Sequence, residues 1–335
     1  MPFEIIKKDI TTLKVGAIVN TTNTALQSAG MGVDYAIHKA AGPDLQKACD
    51  SLAPCPVGEV RVTPGFNLPC DYVIHTVGPV WQGGNDGEKA LLTRCYENIL
   101  KQVTELGCQS VAMPLISTGH HGYPLDEAMS VAVDISRRFL EENDIFVYLV
   151  VYTRNLPVSN AEFSNAVSFG AESYRERKLA RERRRKEKPL LSNANTLSDI
   201  VESACICPEI GGPPAPAHYK VPDESFGQAV VRLAEKRYKK TSEFYLKANI
   251  TKQTYSRLKT EAAYKPSRST ALACVVALGL ELDEAEKLLK RAGFALSGSL
   301  LGDIIIQTAI EHGVTDVTEL NIELFNYDQP LIGLS

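Results

Sequence analysis

The sequence predicts an α/β domain, a mixed sheet flanked by helices, followed by a separate all-α helical domain. Three observations carry this. Short β-rich apolar runs alternate with helix-period patterns over the first 155 residues, a basic run and a Pro/Gly-rich stretch follow, and from residue 223 the pattern is helical almost without a break. At 335 residues, 44% hydrophobic and 23% charged, the chain has globular composition and more length than one core usually fills, so two domains are expected.

The expected strands are, in order, "VGAIVN", "GEVRVTPG", "CDYVIHTVGP", "SVAMPL" and "IFVYLVVYT", each rich in β-branched residues and bounded by turn formers. Between them "GVDYAIHKAAGPDLQKACD", "EKALLTRCYENILKQVTELG" and "PLDEAMSVAVDISRRFLEEN" place apolar residues three and four apart, as helices do. Ligands of open α/β sheets gather at loops beyond the C-terminal ends of strands. Two loops qualify. One follows "GAIVN" and carries Asn20, Asn23, Gly30, Gly32 and Asp34; the other, "STGHHGYP", spans residues 117–124. Both lead into helices and hold Gly where backbone amides can approach an anion, so together they suit a diphosphate. Neither matches GxxxxGK[ST] or a clean GxGxxG, which disfavours P-loop and dinucleotide-fingerprint chemistry.

Simpler readings of the same residues stay open. Asp34 suits the first turn of any helix, Asn20 and Asn23 suit turns that bond their own backbone, and Ser117 and Thr118 suit caps. His120 and His121 read as surface residues, Tyr123 as a half-buried ring, and Asp9, after two lysines, as a solvated acid.

The net charge of −4 is uneven: −6 over residues 1–170, +5 over 171–190, −2 over 191–220 and −1 over 221–335. The basic run "AESYRERKLARERRRKEKPLL" reads as a solvated helix leaving the first domain or as a nucleic-acid contact. Four prolines between 208 and 217 follow it, so the boundary is expected near residue 222. The organisation expected is 1–165 for the α/β domain, 166–222 for a basic then Pro/Gly-rich linker, and 223–335 for the helical domain. No apolar run reaches about 18 residues and the N-terminus lacks a signal-peptide layout, so a soluble, cytoplasmic protein without membrane contact is expected. Eight cysteines at irregular spacing read as free thiols, and no Cys/His spacing fits a zinc site, so no metal or redox cofactor is implied.

The residues then reach a known family. "IVNTTNTALQSAGMGVDYAIHKAAGP" resembles the first signature of macrodomains, N-x-x-N, a Gly-rich loop, then V-D-x-A-I-H-x-A-A-G, and "LISTGHHGYP" resembles their second, I-S-T-G-x-x-G-Y-P. "KKDITTLKVGAIVN" is similar to the usual start. The resemblance implies an ADP-ribose site. Asp9 would accept from the adenine amino group with the Ile10 amide assisting, and Tyr152 would face the adenine. Asn20 and Asn23 belong to the ligand set, with Asn23 on the distal ribose. Gly30, Gly32 and Val33 would line one side of the diphosphate. The amides of Ser117, Thr118, Gly119, His120, His121 and Gly122 would line the other, and Tyr123 would pack on the distal ribose. Asn23 and Asp34 would be catalytic, Asp34 orienting or deprotonating the water that meets C1″ while Asn23 fixes the ribose. Where the family loop usually holds consecutive glycines this chain has Met31, which leaves binding intact and puts turnover and leaving group in question.

From residue 223, "SFGQAVVRLAEKRYKK", "TSEFYLKAN", "TKQTYSRLKT", "SRSTALACVVALGL" and "LDEAEKLLKRAGF" are expected helices, with "LLGDIIIQTAIEHG" and "DVTELNIELFNYD" as two more. The second and third resemble the helix-turn-helix of phage-repressor-like regulators. Asn249 would supply the positive φ of the turn, Ile250 would plug the core, Thr251 would cap, and Tyr255 and Leu258 would face inward. Lys252, Gln253, Ser256, Arg257 and Lys259 would then face outward toward DNA. The two functions expected are a hydrolase of mono-ADP-ribosyl carboxylate esters or a deacetylase of O-acetyl-ADP-ribose, and, alternatively, a non-catalytic ADP-ribose-sensing regulator that binds DNA or a protein partner through its helical domain.

Overall fold

The structure, a computed structural model, describes residues 3–28, 30–152, 156–158, 160–187, 224–261 and 263–333, with the backbone alone at 181 and 183–187. Among the described residues six strands form one mixed sheet: β1 Phe3–Ile6, β2 Ala17–Thr21, β3 Val60–Pro64, β4 Tyr72–Thr76, β5 Ser110–Pro114 and β6 Phe146–Val150. Their spatial order is β1-β6-β5-β2-β4-β3, and only β3, against β4, runs antiparallel. Central strands β2 and β5 are covered on both faces, which is why they read as unbroken apolar runs. On one face Ala17, Val19, Val111 and Met113 meet helices α3 (Glu88–Glu105) and α4 (Leu125–Glu142). On the other Ile18, Val73 and Ala112 meet α1 (Gly32–Ala41) and α2 (Pro43–Leu52).

Two details differ from expectation. Edge strand β1 was not anticipated, because "FEII" offers only one apolar/polar alternation. The pattern over 32–50 is two helices, since Gly42 takes φ 87° and Pro43, which has no N–H to give, opens the second.

As far as Glu187, where the described residues end, the basic run lies on a 27-residue helix, α5 (Ala161–Glu187), that begins earlier than expected. Phe163, Val167 and Ala171 are buried, the first two within the core of the helical region, so α5 starts that core before it carries charge. Its residues 175–180 are exposed. The Pro-rich stretch falls outside the described residues. The helical region then holds α6 (Phe226–Arg237), α7 (Thr241–Lys247), α8 (Lys252–Thr260), α9 (Arg268–Leu278), α10 (Leu282–Arg291), α11 (Leu301–Glu311) and α12 (Val317–Asn326). Ser225, Thr251, Ser267 and Asp316 cap α6, α8, α9 and α12 through their side chains, as Ser, Thr and Asp do at N-termini. Helix α9 is buried from Thr270 to Leu278 and forms the axis of the bundle.

The two cores meet. The Asn249 carboxamide accepts from Phe3 N and donates to Phe3 O, both at 3.0 Å, in the manner of a strand partner on the open edge of β1. Asn326 grips Leu156 the same way, at 2.8 and 2.9 Å, and Arg137 pairs with Asp316. Among the described residues no helix is long and apolar enough to cross a membrane.

Candidate functional site

A cleft of about 1140 Å³ opens beyond the C-terminal ends of β2, β5 and β6, where such sheets hold ligands. One wall is the loop after β2 and the first turn of α1. Gly30 and Gly32 take φ 72° and 69°, Met31 between them is extended at φ −150°, and no side chain caps α1 at Met31. The opposite wall is residues 117–121, where Ser117 takes φ 66° and its carbonyl accepts from Tyr123 N, closing the loop on itself.

Gly78, which sequence reasoning passed over, makes this second loop possible. A Cβ there would stand 2.2 Å from Ser117 Oγ and 2.6 Å from Ile116 Cγ2. Gly78→Ala is therefore expected to cost about 1–3 kcal/mol of stability, the usual range for overpacking. Ligand affinity should fall with it; urea unfolding checks the first and calorimetric titration the second.

Asp34 lies on the cleft wall yet is 5% exposed. Its Oδ1 accepts from Asn20 Nδ2 at 2.8 Å and lies 3.5 Å from His38 Nε2, one turn along α1. Asn20 is fully buried, and the same Nδ2 meets His75 Nδ1 at 3.1 Å. His75 Nε2 meets Thr63 Oγ1 at 2.9 Å. A carboxylate only accepts, so the Asn20 atom facing it is the amide nitrogen, whose second proton goes to His75 Nδ1. Nε2 is then the protonated ring nitrogen and donates to Thr63. Burial, with the neighbouring His38 adding to it, pushes the His75 imidazole down to about 3, so the ring is neutral. Burial, then the charges of Asp34 and Asp50, push the Cys49 thiol up to about 11, which makes it inert.

Of the expected site residues, Asn23, Gly32, Val33, Asp34, Ser117, Thr118, Gly119, His120, His121 and Tyr152 line the cleft. Others do not. Asn20 lies beneath Asp34 and holds it. Tyr123 is buried with its ring 4.7 Å from that of Trp81, so it braces the second loop from behind and is not part of the cleft lining. Asn23 lines the cleft, but its carboxamide serves its own loop, accepting from Ala25 N and Gln27 N and donating to Gln27 O. That is the turn-residue reading. Asp9 caps the short turn Ile10–Thr12, accepting from Thr11 N and Thr11 Oγ1, and Ile10 is buried in the core beside α1. Asp9 still borders the site: partial burial, then its carboxylate, raise the Tyr152 phenol at that end. Gly30 and Gly122 shape their loops outside the lining. The residues missed were Thr63, His75, Gly78 and Trp81, and the available signals were a lone His in "YVIHT" and the Gly78-Pro79 pair just beyond it.

In the helical region Asn249 takes φ 50°, Ile250 is buried, Thr251 accepts from Thr254 N, and Tyr255 and Leu258 are buried. Lys252, Gln253, Ser256, Arg257 and Lys259 are all exposed. Two are engaged: Lys259 pairs with Glu235 at 2.9 Å, and Arg257 reaches Glu261 and lies over the Tyr264 ring.

Comparison with known proteins matches the Macro domain family at residues 19–132. A macro domain-containing protein of Chlorobaculum tepidum is 53% identical over 137 residues, 41% of this chain and 79% of that protein. The O-acetyl-ADP-ribose deacetylase of Citrobacter koseri is 47% identical over 150 residues, 43% of this chain and 84% of that protein. Among solved structures, the Oceanobacillus iheyensis macrodomain with ADP is 43% identical, with a TM-score of 0.44 over 45% of this chain and 83% of its own.

Proposed function

The chain belongs to the macrodomain family, and on that premise we propose that its cleft binds ADP-ribose and hydrolyses an ester at the distal ribose, whether to a protein carboxylate or to acetate. The observation that carries this reading is Asp34, a buried carboxylate fixed by Asn20 on the wall between two amide-bearing loops. The uncapped first turn of α1 and the turn of residues 117–121 offer N–H groups from two sides, which suits a diphosphate. Adenine lies toward Tyr152 and Asp9, and the distal ribose toward Asp34.

With the ligand so placed, Asp34 accepts a proton from water, or holds that water in line with the bond to be broken. For a carboxylate carried on C1″ the water oxygen bonds to C1″ as the C1″–O bond breaks and the carboxylate leaves with the electron pair; for an acetyl ester the water oxygen bonds to the acyl carbon as the acyl C–O bond breaks, and the ribose oxygen leaves with the electron pair and takes up a proton. Asn23 contributes through the loop it ties, which sets the height of the cleft wall, so its role is positional. Met31 is 65% exposed at the lip, where the linked group would leave. It therefore borders the leaving group rather than the diphosphate.

The test is release of free ADP-ribose from a glutamate-linked mono-ADP-ribosylated protein, run beside release of acetate from O-acetyl-ADP-ribose and calorimetric binding of ADP-ribose. Binding with either product released supports the reading. Binding with neither released makes the domain a reader.

A further inference from the structure

We propose that the exposed face of α1 is a docking ridge for the polypeptide that carries the ADP-ribosyl group, which rests on the reading of the cleft as a site for ADP-ribosyl esters. Among the described residues the sheet domain exposes five large apolar side chains. Tyr152 is at the adenine end of the cleft, and the other four, Met31, Tyr35, Phe66 and Val80, flank the mouth near Asp34 or follow α1 away from it. Single exposed apolar residues are ordinary, but a run of them that starts at a ligand site marks a surface for a partner.

The ridge begins at the lip. Tyr35 N donates to Met31 O at 3.4 Å, so Tyr35, 45% exposed, follows Met31 one turn along α1. Lys39 comes a turn later, its Nζ 5.9 Å from the centre of the Tyr35 ring, and among the described residues no carboxylate pairs with it. At the far end of α1 Asn67 N donates to Ala41 O at 3.4 Å, and the adjacent Phe66 is exposed at φ 53°, a left-handed backbone that a bulky residue adopts at a cost. Across the mouth Val80, 52% exposed, stands beside the second loop, since Trp81 N donates to His121 O at 2.9 Å.

Length and chemistry select the occupant. A polypeptide esterified to the distal ribose leaves the cleft past Met31, so its chain begins where the ridge begins. Helix α1 has ten residues, about 15 Å of rise, which about four or five residues of extended chain span at about 3.3 Å each. Apolar side chains of such a segment would lie on Met31 and Tyr35, and a carboxylate would pair with the Lys39 ammonium. An acetyl group ends at the lip and gains nothing from the ridge. A nucleic-acid end fits less well, because a net charge of −6 over residues 1–170 repels a run of phosphates more than it repels one carboxylate beside Lys39.

The test uses the full chain and three ligands titrated by calorimetry: ADP-ribose, a short peptide with apolar and acidic residues beside an ADP-ribosylated glutamine, and ADP-ribose on the terminal phosphate of a DNA strand. The amide linkage of the glutamine resists ester hydrolysis, so binding is read without turnover. Expected is peptide affinity about tenfold above that of ADP-ribose, the scale of burying one or two apolar side chains less the cost of ordering the segment. In the double variant Tyr35→Ala, Lys39→Gln that advantage should fall to about twofold while ADP-ribose affinity holds. Both residues are exposed and outside the cleft lining, and Ala and Gln are good helix formers, so the variant folds; unchanged thermal unfolding verifies it. Peptide and ADP-ribose bound alike by the wild type, an advantage kept in the variant, or a DNA-linked ligand that gains and loses as the peptide does, overturns the proposal. In each of those outcomes ADP-ribose still binds, whereas loss of ADP-ribose binding itself overturns the reading of the cleft and the ridge with it.

Discussion

Asp34→Asn is expected to lower the release of ADP-ribose by about a hundredfold or more, the scale associated with losing a positioned acid or base, while ADP-ribose still binds. The two halves of this expectation have separate causes. An Asn at position 34 keeps an oxygen able to accept from Asn20 Nδ2, so the buried hydrogen bond at 2.8 Å survives and the wall keeps its shape. What disappears is the ability to take a proton from water. Removing a negative charge from beside a diphosphate leaves affinity unchanged or improves it, since like charges repel most where water is excluded. Asp34→Ala is the poorer probe. It strips the acceptor from a buried amide and adds about 1–3 kcal/mol of destabilisation, which confounds folding with chemistry. Wild-type release rates in the Asn variant would reduce Asp34 to a structural residue.

The sheet domain was legible because its strands and loops obey local rules. The runs "GAIVN" and "SVAMP" are apolar on both faces and end in Gly-bearing polar loops, and the sequence order alone puts those loops at one end of a parallel sheet. What stayed hidden was long-range. Nothing near Gly78 in sequence says that Ser117 will pass within reach of a Cβ there. Nothing in "YVIHT" says that the imidazole will meet Thr63 across an antiparallel pair and Asn20 across a parallel one. Asn23 shows the converse. The motif points to the ligand, yet its carboxamide closes a local ring with Ala25 and Gln27, a geometry that short-range rules for Asn already describe. The helical region was legible in number and capping of helices. Its docking was not, because Asn249 and Asn326 act on backbone 246 and 170 residues away.

His75→Phe is expected to destabilise the protein by about 3 kcal/mol at pH 7.5 and by much less at pH 5, a pH signature that simple loss of packing would not show. The first figure follows from two buried groups left without partners, the second proton of Asn20 Nδ2 and the hydroxyl of Thr63, at about 1–3 kcal/mol each. The second follows from protons. In the folded chain the imidazole stays neutral down to about pH 3, and in the unfolded chain it takes up a proton near 6.5. Between those values the unfolded state holds more protons, so the contribution of His75 is complete above pH 6.5 and declines as the pH falls toward 3. The decline is about 1.4 kcal/mol per unit, hence about 2 kcal/mol between pH 6.5 and 5. Glu319 and Glu323, whose carboxyls burial raises, act in the opposite direction but equally in both proteins, so the difference between wild type and variant isolates the histidine. Urea unfolding of the pair at half-unit steps from pH 5 to 7.5 reads it directly. A gap that does not narrow on acidification would mean that the ring accepts its proton in place, and that Asn20 and Asp34 are not oriented by a neutral His75.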